Sequence, residues 1–102
     1  MRKRKVVLTL DANADLDQIG EFVSGIYREE VGVRFVKRMF LEIIPLGISA
    51  DAFPLSRLRT AREIHPEAKT IPIMKHRWTV IFHIEGDYVI VDRIFPSSSM
   101  AE

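Results

Sequence analysis

Cysteine is absent from the 102-residue chain, which removes disulfides, thiolate metal sites and a cysteine nucleophile together. No run of about 18 apolar residues occurs, so no membrane-spanning helix is encoded. The five glycines build no glycine-rich phosphate loop, and no Ser–His–Asp pattern has a recognisable context. Histidine is scarce as well. His65, His76 and His83 form no close pair and sit in no carboxylate pattern of ligand spacing, so neither metal nor cofactor is expected. A strong charge of one sign is also missing: the net charge is +1, low for a dedicated nucleic-acid binder.

What remains is an ordinary soluble balance, 47% hydrophobic and 28% charged, with room for one core; a single domain over 1–102 is expected. The charge lies in blocks. Residues 1–10 carry +4, residues 11–30 carry −5, residues 51–77 carry +3 and residues 78–102 carry −3. Such blocks suit an anionic partner, or are simply solvated faces. The apolar stretch after the basic start, Val6 to Leu10, is shorter than the roughly seven residues a secretory signal needs. A cytoplasmic, non-membrane protein is the expectation.

Lys5 to Leu10 is β-branched and apolar and reads as a strand, ending at an N-cap in Asp11-Ala12-Asn13. From Ala14, Leu16, Ile19, Val23, Ile26 and Tyr27 recur at helical spacing. Asp15 and Asp17 fall in the first turn and Arg28 in the last, as the helix dipole favours. Gly20 and Gly25 suggest a close helix–helix approach. After a break at Glu30-Val31-Gly32, a second helix from about Val33 presents Val36, Met39, Phe40, Ile43 and Ile44, and Pro45 and Gly47 end it. So short a break makes the pair an antiparallel hairpin.

Residues 47–69 are the least legible: Leu55 to Ile64 reads as a short helix or an arginine-rich coil. Thr70 to Met74 is a strand whose Pro72 suggests an edge. Arg77 to Glu85 alternates, with Trp78, Val80, Phe82 and Ile84 on one face and Thr79, Ile81 and His83 on the other. Glu85-Gly86-Asp87 is a tight turn, and Tyr88 to Phe95 the returning strand. Pro96 to Ser99 closes the fold, with the last residues loose. The expected architecture is α+β: an N-terminal strand, a two-helix hairpin, then a three-stranded antiparallel meander, with the helices on one face of a single sheet. The other face must meet solvent or bind something.

Few side chains suggest chemistry. His83 is either a general base or a hydrogen-bonded strand residue. Lys75, His76 and Arg77 form a basic cluster for phosphate or a carboxylate-rich partner, or an exposed turn. Arg93 beside Asp92 reads as a local ion pair. Arg57, Arg59 and Arg62 share no single helical face and read as a solvated segment or part of a binding surface. His65 reads as a loop residue.

Four stretches resemble the RelE/ParE superfamily of bacterial type II toxin–antitoxin toxins. Ala14-Asp15-Leu16-Asp17-Gln18-Ile19 is similar to the family's A-x-x-D-L-x-x-I helix start. Arg34-Phe35, with Ile43-Ile44 and Leu46, resembles its second helix. Trp78 to Asp87 is similar to the Y-R-V-x-Y-x-I-x-G-D hairpin, and Val89 to Phe95 to the final V-x-I-x-R-V strand. The resemblance covers nearly the whole chain. It implies a toxin of a plasmid-stabilisation type system that inhibits growth, held in a hetero-oligomer by a cognate antitoxin. Its cellular target would be DNA gyrase for ParE-like members, or mRNA in the ribosome for RelE-like ones.

Departures from the nuclease pattern favour the ParE-like reading, action through protein contact without catalysis. The family's second-strand lysine positions fall on Ile71 to Met74, with only Lys75 at the end; the third-strand arginine falls on Thr79; and nothing basic follows Arg93. The enzyme alternative is a ribosome-dependent endoribonuclease drawing on Lys75, His76, Arg77, His83 and Arg93. An inactive structural relative is the third reading.

Overall fold

In the computed structural model, which describes residues 2–100, the chain runs β1 (Lys5–Leu8), α1 (Leu10–Ile26), α2 (Glu29–Ile43), α3 (Leu46–Ser49), a 3-10 turn (Ala50–Ala52), α4 (Arg59–Ile64), β2 (Lys69–Ile73), β3 (Trp78–Glu85), β4 (Tyr88–Pro96) and a last 3-10 turn (Ser97–Ser99). The sheet order is β1-β4-β3-β2. β1 runs parallel to β4, and the meander β2-β3-β4 is antiparallel. The expected strand, hairpin and meander are therefore all present. The loosely held terminus expected from the sequence falls at 101–102, outside the described residues.

The helix boundaries differ from the sequence reading for local reasons. Thr9, and not Asp11 to Asn13, is the N-cap of α1. Its Oγ1 accepts from the Ala12 N–H at 3.0 Å, the side-chain capping that starts a helix. Asp11 is then the first-turn acid, and Asp15 and Asp17 lie deeper in the helix. Arg28 is not in the last turn of α1; it is the N-cap of α2. The break therefore falls at Tyr27-Arg28, and Glu30 to Gly32 is already helical. Leu16, Ile19 and Val23 are buried as their spacing implies, but Ile26 and Tyr27 at the end of α1 and Ile44 after α2 are exposed.

Gly32 is a packing residue. A Cβ there would lie 2.0 Å from Ser24 Oγ and 2.5 Å from the Gly20 carbonyl oxygen, so α2 crosses α1 at backbone contact. Gly20 takes part in the same seam, facing Val36 at 3.1 Å, whereas Gly25 faces open space.

The alternation in β3 sorts the two faces of the sheet. Val80 and Phe82 join Val89, Val91 and Ile94 in the main core under Leu16, Ile19, Met39 and Ile43 of the hairpin. The opposite face is covered by the chain itself. Ala61 of α4, Ala68 and Ile81 form a second cluster flanked by Leu58, Ile64, Phe95 and Met100. The illegible stretch 47–69 thus becomes α3, the 3-10 turn and this cover. Lys69 ties it down, its ammonium donating to the carbonyls of Ala50 at 3.2 Å and Phe53 at 2.7 Å.

β2 ends at Ile73, so Met74 belongs to the following turn, and Pro72 sits on the sheet edge where a missing N–H costs nothing. Glu85 pairs with Tyr88 across a two-residue hairpin in which Gly86 has φ +59°, a conformation glycine reaches freely. Phe82 pairs with Val91 but Ile81 with Arg93, which leaves Asp92 as the extra residue of a β-bulge.

Candidate functional site

The β2–β3 turn is strained and basic. Met74, Lys75 and His76 have φ of 53°, 58° and 66°, a left-handed run that costs a non-glycine residue about 1–2 kcal/mol at each position. Glu42 of α2 pins it, its carboxylate accepting the Met74 N–H at 3.1 and 3.3 Å. Such strain persists only where surrounding structure over-determines it. The outcome is that Lys75, His76 and Arg77 all project at the surface.

This turn rims a groove of about 720 Å³ between the end of α1, one side of α2 from Val31 to Glu42, and Trp78. Its apolar lining includes Phe22, Ile26, Tyr27 and Phe35, and its cations are Arg38, Lys75 and Arg77. Phe22 is 67% and Tyr27 68% exposed, so apolar surface is left uncovered next to positive charge. Glu42, the acid of the lining, has its carboxylate turned to the Met74 N–H. Sequence reading found Lys75 to Arg77 but placed Ile26 and Tyr27 in the core and overlooked Phe22 and Arg38. The available signal was Phe22, a large apolar residue off the Leu16/Ile19/Val23 stripe.

Arg57, Arg59 and Arg62 are exposed and lie elsewhere, on the cover of the second face and outside the groove lining. Arg59 faces Glu63 at 3.6 Å, and Arg62 donates to the Ser56 carbonyl at 3.5 Å.

The bulge in β4 separates Asp92 from Arg93, so the local pair expected between them does not form. Arg93 instead reaches α1, donating from Nε at 2.9 Å and from Nη2 at 3.0 Å to Asp15, whose Oδ2 also accepts the Ile94 N–H at 2.9 Å. These hydrogen bonds hold the Arg93 guanidinium above its already high ordinary value. The cation also lies 4.5 Å from the centre of the Phe95 ring.

Asp92 turns to His83, with Nδ1 and Oδ2 2.7 Å apart. His83 Nε2 faces Glu85 at 3.5 Å, and the imidazole of His65 stacks on its ring at 3.7 Å and 6°. A carboxylate that orients an imidazole is an arrangement used in general-base catalysis, but His83 is only 6% exposed. His65 is therefore a packing partner of His83 and more than a loop residue. Among the described residues no cluster of three or more His, Asp or Glu is placed to hold a metal ion.

No family model matches the sequence, and no curated protein matches it. The structure is similar to a chain of a solved structure described as a chromosomal ParDE TA system from P. aeruginosa, with a TM-score of 0.77 and 19% identity, covering 92% of this chain and 96% of that one. At that identity the likeness establishes the fold: this chain has a RelE/ParE-like α+β fold, a mixed four-stranded sheet with helices packed against it.

Proposed function

We propose that this chain is the toxin of a type II toxin–antitoxin pair, ParE-like in acting through protein contact. Its cellular target on this reading is DNA gyrase, in the cytoplasm. The observation that carries the proposal is the groove beside the β2–β3 turn. Exposed Phe22, Ile26 and Tyr27 beneath Arg38, Lys75 and Arg77 suit an antitoxin segment that is amphipathic and acidic, folding onto the toxin as it binds. The fold shared with a chain of a ParDE system supports the same reading. Arg57, Arg59 and Arg62 offer a second cationic surface for the target or for the antitoxin.

The endoribonuclease alternative requires Lys75, His76, Arg77, His83 and Arg93 to converge on one phosphodiester. Against it stands their placement: the first three project from the turn, His83 lies beneath His65, and Arg93 is held by Asp15.

Inducible expression with and without the neighbouring open reading frame tests the proposal. Growth arrest relieved by co-expression, with gyrase-dependent DNA damage and intact mRNA, is expected. Phe22→Ser combined with Arg77→Ala, both at exposed positions, should weaken binding of the neighbouring product at least tenfold while the chain stays folded. Codon-positioned mRNA cuts lost on substituting His83 or Arg77 would establish the enzyme instead. Unimpaired growth after strong induction would mark an inactive relative.

A further inference from the structure

The cover over the second sheet face rests on little apolar burial. Its one fully buried side chain is Ala61, packed with the adjoining Ala68 against Ile81, while Leu58 and Ile64 are only partly buried, and weakly buried segments open at low free-energy cost. Backbone hydrogen bonds fold it up locally, from His65 N–H to the Ala61 carbonyl and from Ala68 N–H to the His65 carbonyl, each at 3.1 Å. Its ring contact with the sheet is the His65–His83 stack.

The two rings have unequal surroundings. His83 on β3 has counter-charges at both nitrogens, Asp92 of β4 and Glu85 of its own strand. His65 has a backbone donor instead: its Nδ1 accepts the Glu67 N–H at 3.0 Å. That bond requires a lone pair on Nδ1, so it exists only in the neutral ring. Glu67 and Arg57 of the cover are exposed, and the other charged groups nearby are committed elsewhere. Arg59 and Glu63 of α4 face each other, Arg62 donates to the Ser56 carbonyl, and Lys69 of β2 is bound to the carbonyls of Ala50 and Phe53. On β4, Arg93 is held by Asp15.

We propose that residues 57–67 form an acid-sensitive cover latched by the His65–His83 stack. Asp92 and Glu85 each lie at a nitrogen of His83, and among the described residues no carboxylate is paired with a nitrogen of His65. A positive charge on His65 breaks its bond to the Glu67 N–H and, against a charged His83, sets two cations face to face at the 3.7 Å ring separation. The closed form is therefore favoured with His65 neutral. Acidification that places a proton on His65 Nδ1 lifts the cover and bares Ile81 and His83. This device is independent of the toxin reading and concerns only how the second face is exposed.

Amide hydrogen exchange of the full chain, corrected for intrinsic rates, tests this at pH 7.5 and 5.5. Protection of the Arg62, His65 and Ala68 amides, which bond to the Leu58, Ala61 and His65 carbonyls of the cover, should fall at least tenfold at the lower pH, with α1, α2 and β4 unchanged. His65→Phe keeps a stacked ring without a titratable nitrogen, so its protection should not differ between the two pH values. Unchanged protection in the natural chain, or an equal drop in His65→Phe, would overturn the proposal. Should that variant not fold, the natural chain's imidazole resonances decide: a His65 transition coinciding with the loss of protection supports the latch, and one that does not coincide refutes it.

Discussion

Replacing Gly32 by alanine adds one methyl group at the tightest point of the α1–α2 seam. The new Cβ would stand 2.0 Å from Ser24 Oγ and 2.5 Å from the Gly20 carbonyl oxygen, both under the 3.0 Å below which something must shift. Ser24 can change rotamer, but the Gly20 oxygen is backbone in mid-helix, so α1 and α2 must part. Overpacking a well-filled site costs about 1–3 kcal/mol, and a rigid backbone neighbour places this site near the upper end. For a domain of about 100 residues, 3 kcal/mol corresponds to a fall in Tm of roughly 12–24 °C. Gly25→Ala is the matched control: nothing lies within 4 Å of its Cβ, and replacing helical glycine with alanine gains up to about 1 kcal/mol. Thermal melts followed by circular dichroism separate the two. Combining Ser24→Gly with Gly32→Ala should recover only part of the loss, since the carbonyl contact remains. A Gly32→Ala protein as stable as the natural chain would refute the backbone-contact seam, and with it the placement of the helix break at Tyr27-Arg28.

Asp15→Asn keeps the shape of a side chain that binds Arg93 twice and the Ile94 N–H once; losing the charge should cost about 2 kcal/mol, read as a lower urea midpoint at unchanged m-value. Asp51 is held below its ordinary 3.8 chiefly by a hydrogen bond from Arg4, so the unfolded chain takes up that proton first. The pair therefore stabilises the fold above that value and loses its effect as pH falls further, and Asp51→Asn should lose stability less steeply than the natural chain below about pH 4; parallel acid titrations of the two would remove the pair from the account. His76→Gly replaces a left-handed residue of φ 66° by the one that adopts this conformation freely, and should gain about 0.5–1 kcal/mol after the entropy of the unfolded glycine is counted. A loss of stability on that change would mean that the turn is not left-handed at His76.

The helices were legible wherever one stripe of apolar residues meets one core, as at Leu16, Ile19 and Val23 or Met39 and Ile43. The reading failed at their ends. Tyr27 continues the stripe of α1 and yet is exposed, because the chain turns at Tyr27-Arg28 and leaves that residue beside a groove. Gly32 looked like a breaker because glycine is a poor helix former, but its lack of a Cβ is what the helix crossing requires. In the site, the basic turn was visible as three cations in a row, whereas its apolar partner surface needed α1 to be placed beside β3.

Periodicity determined by the sequence itself set the order of elements, the alternation of β3 and the edge position of Pro72, because each depends on neighbours a few residues apart. The tertiary structure decided where charge goes. One extra residue in β4 sends Asp92 to His83 and Arg93 to Asp15, 78 positions away, and packing brings His65 onto His83 from a stretch with no readable pattern. Glu42 on α2 holds a left-handed turn that the local sequence disfavours. Hydrophobic spacing is written along the chain, but an ion pair or a stacked ring exists only between surfaces that folding has already brought together.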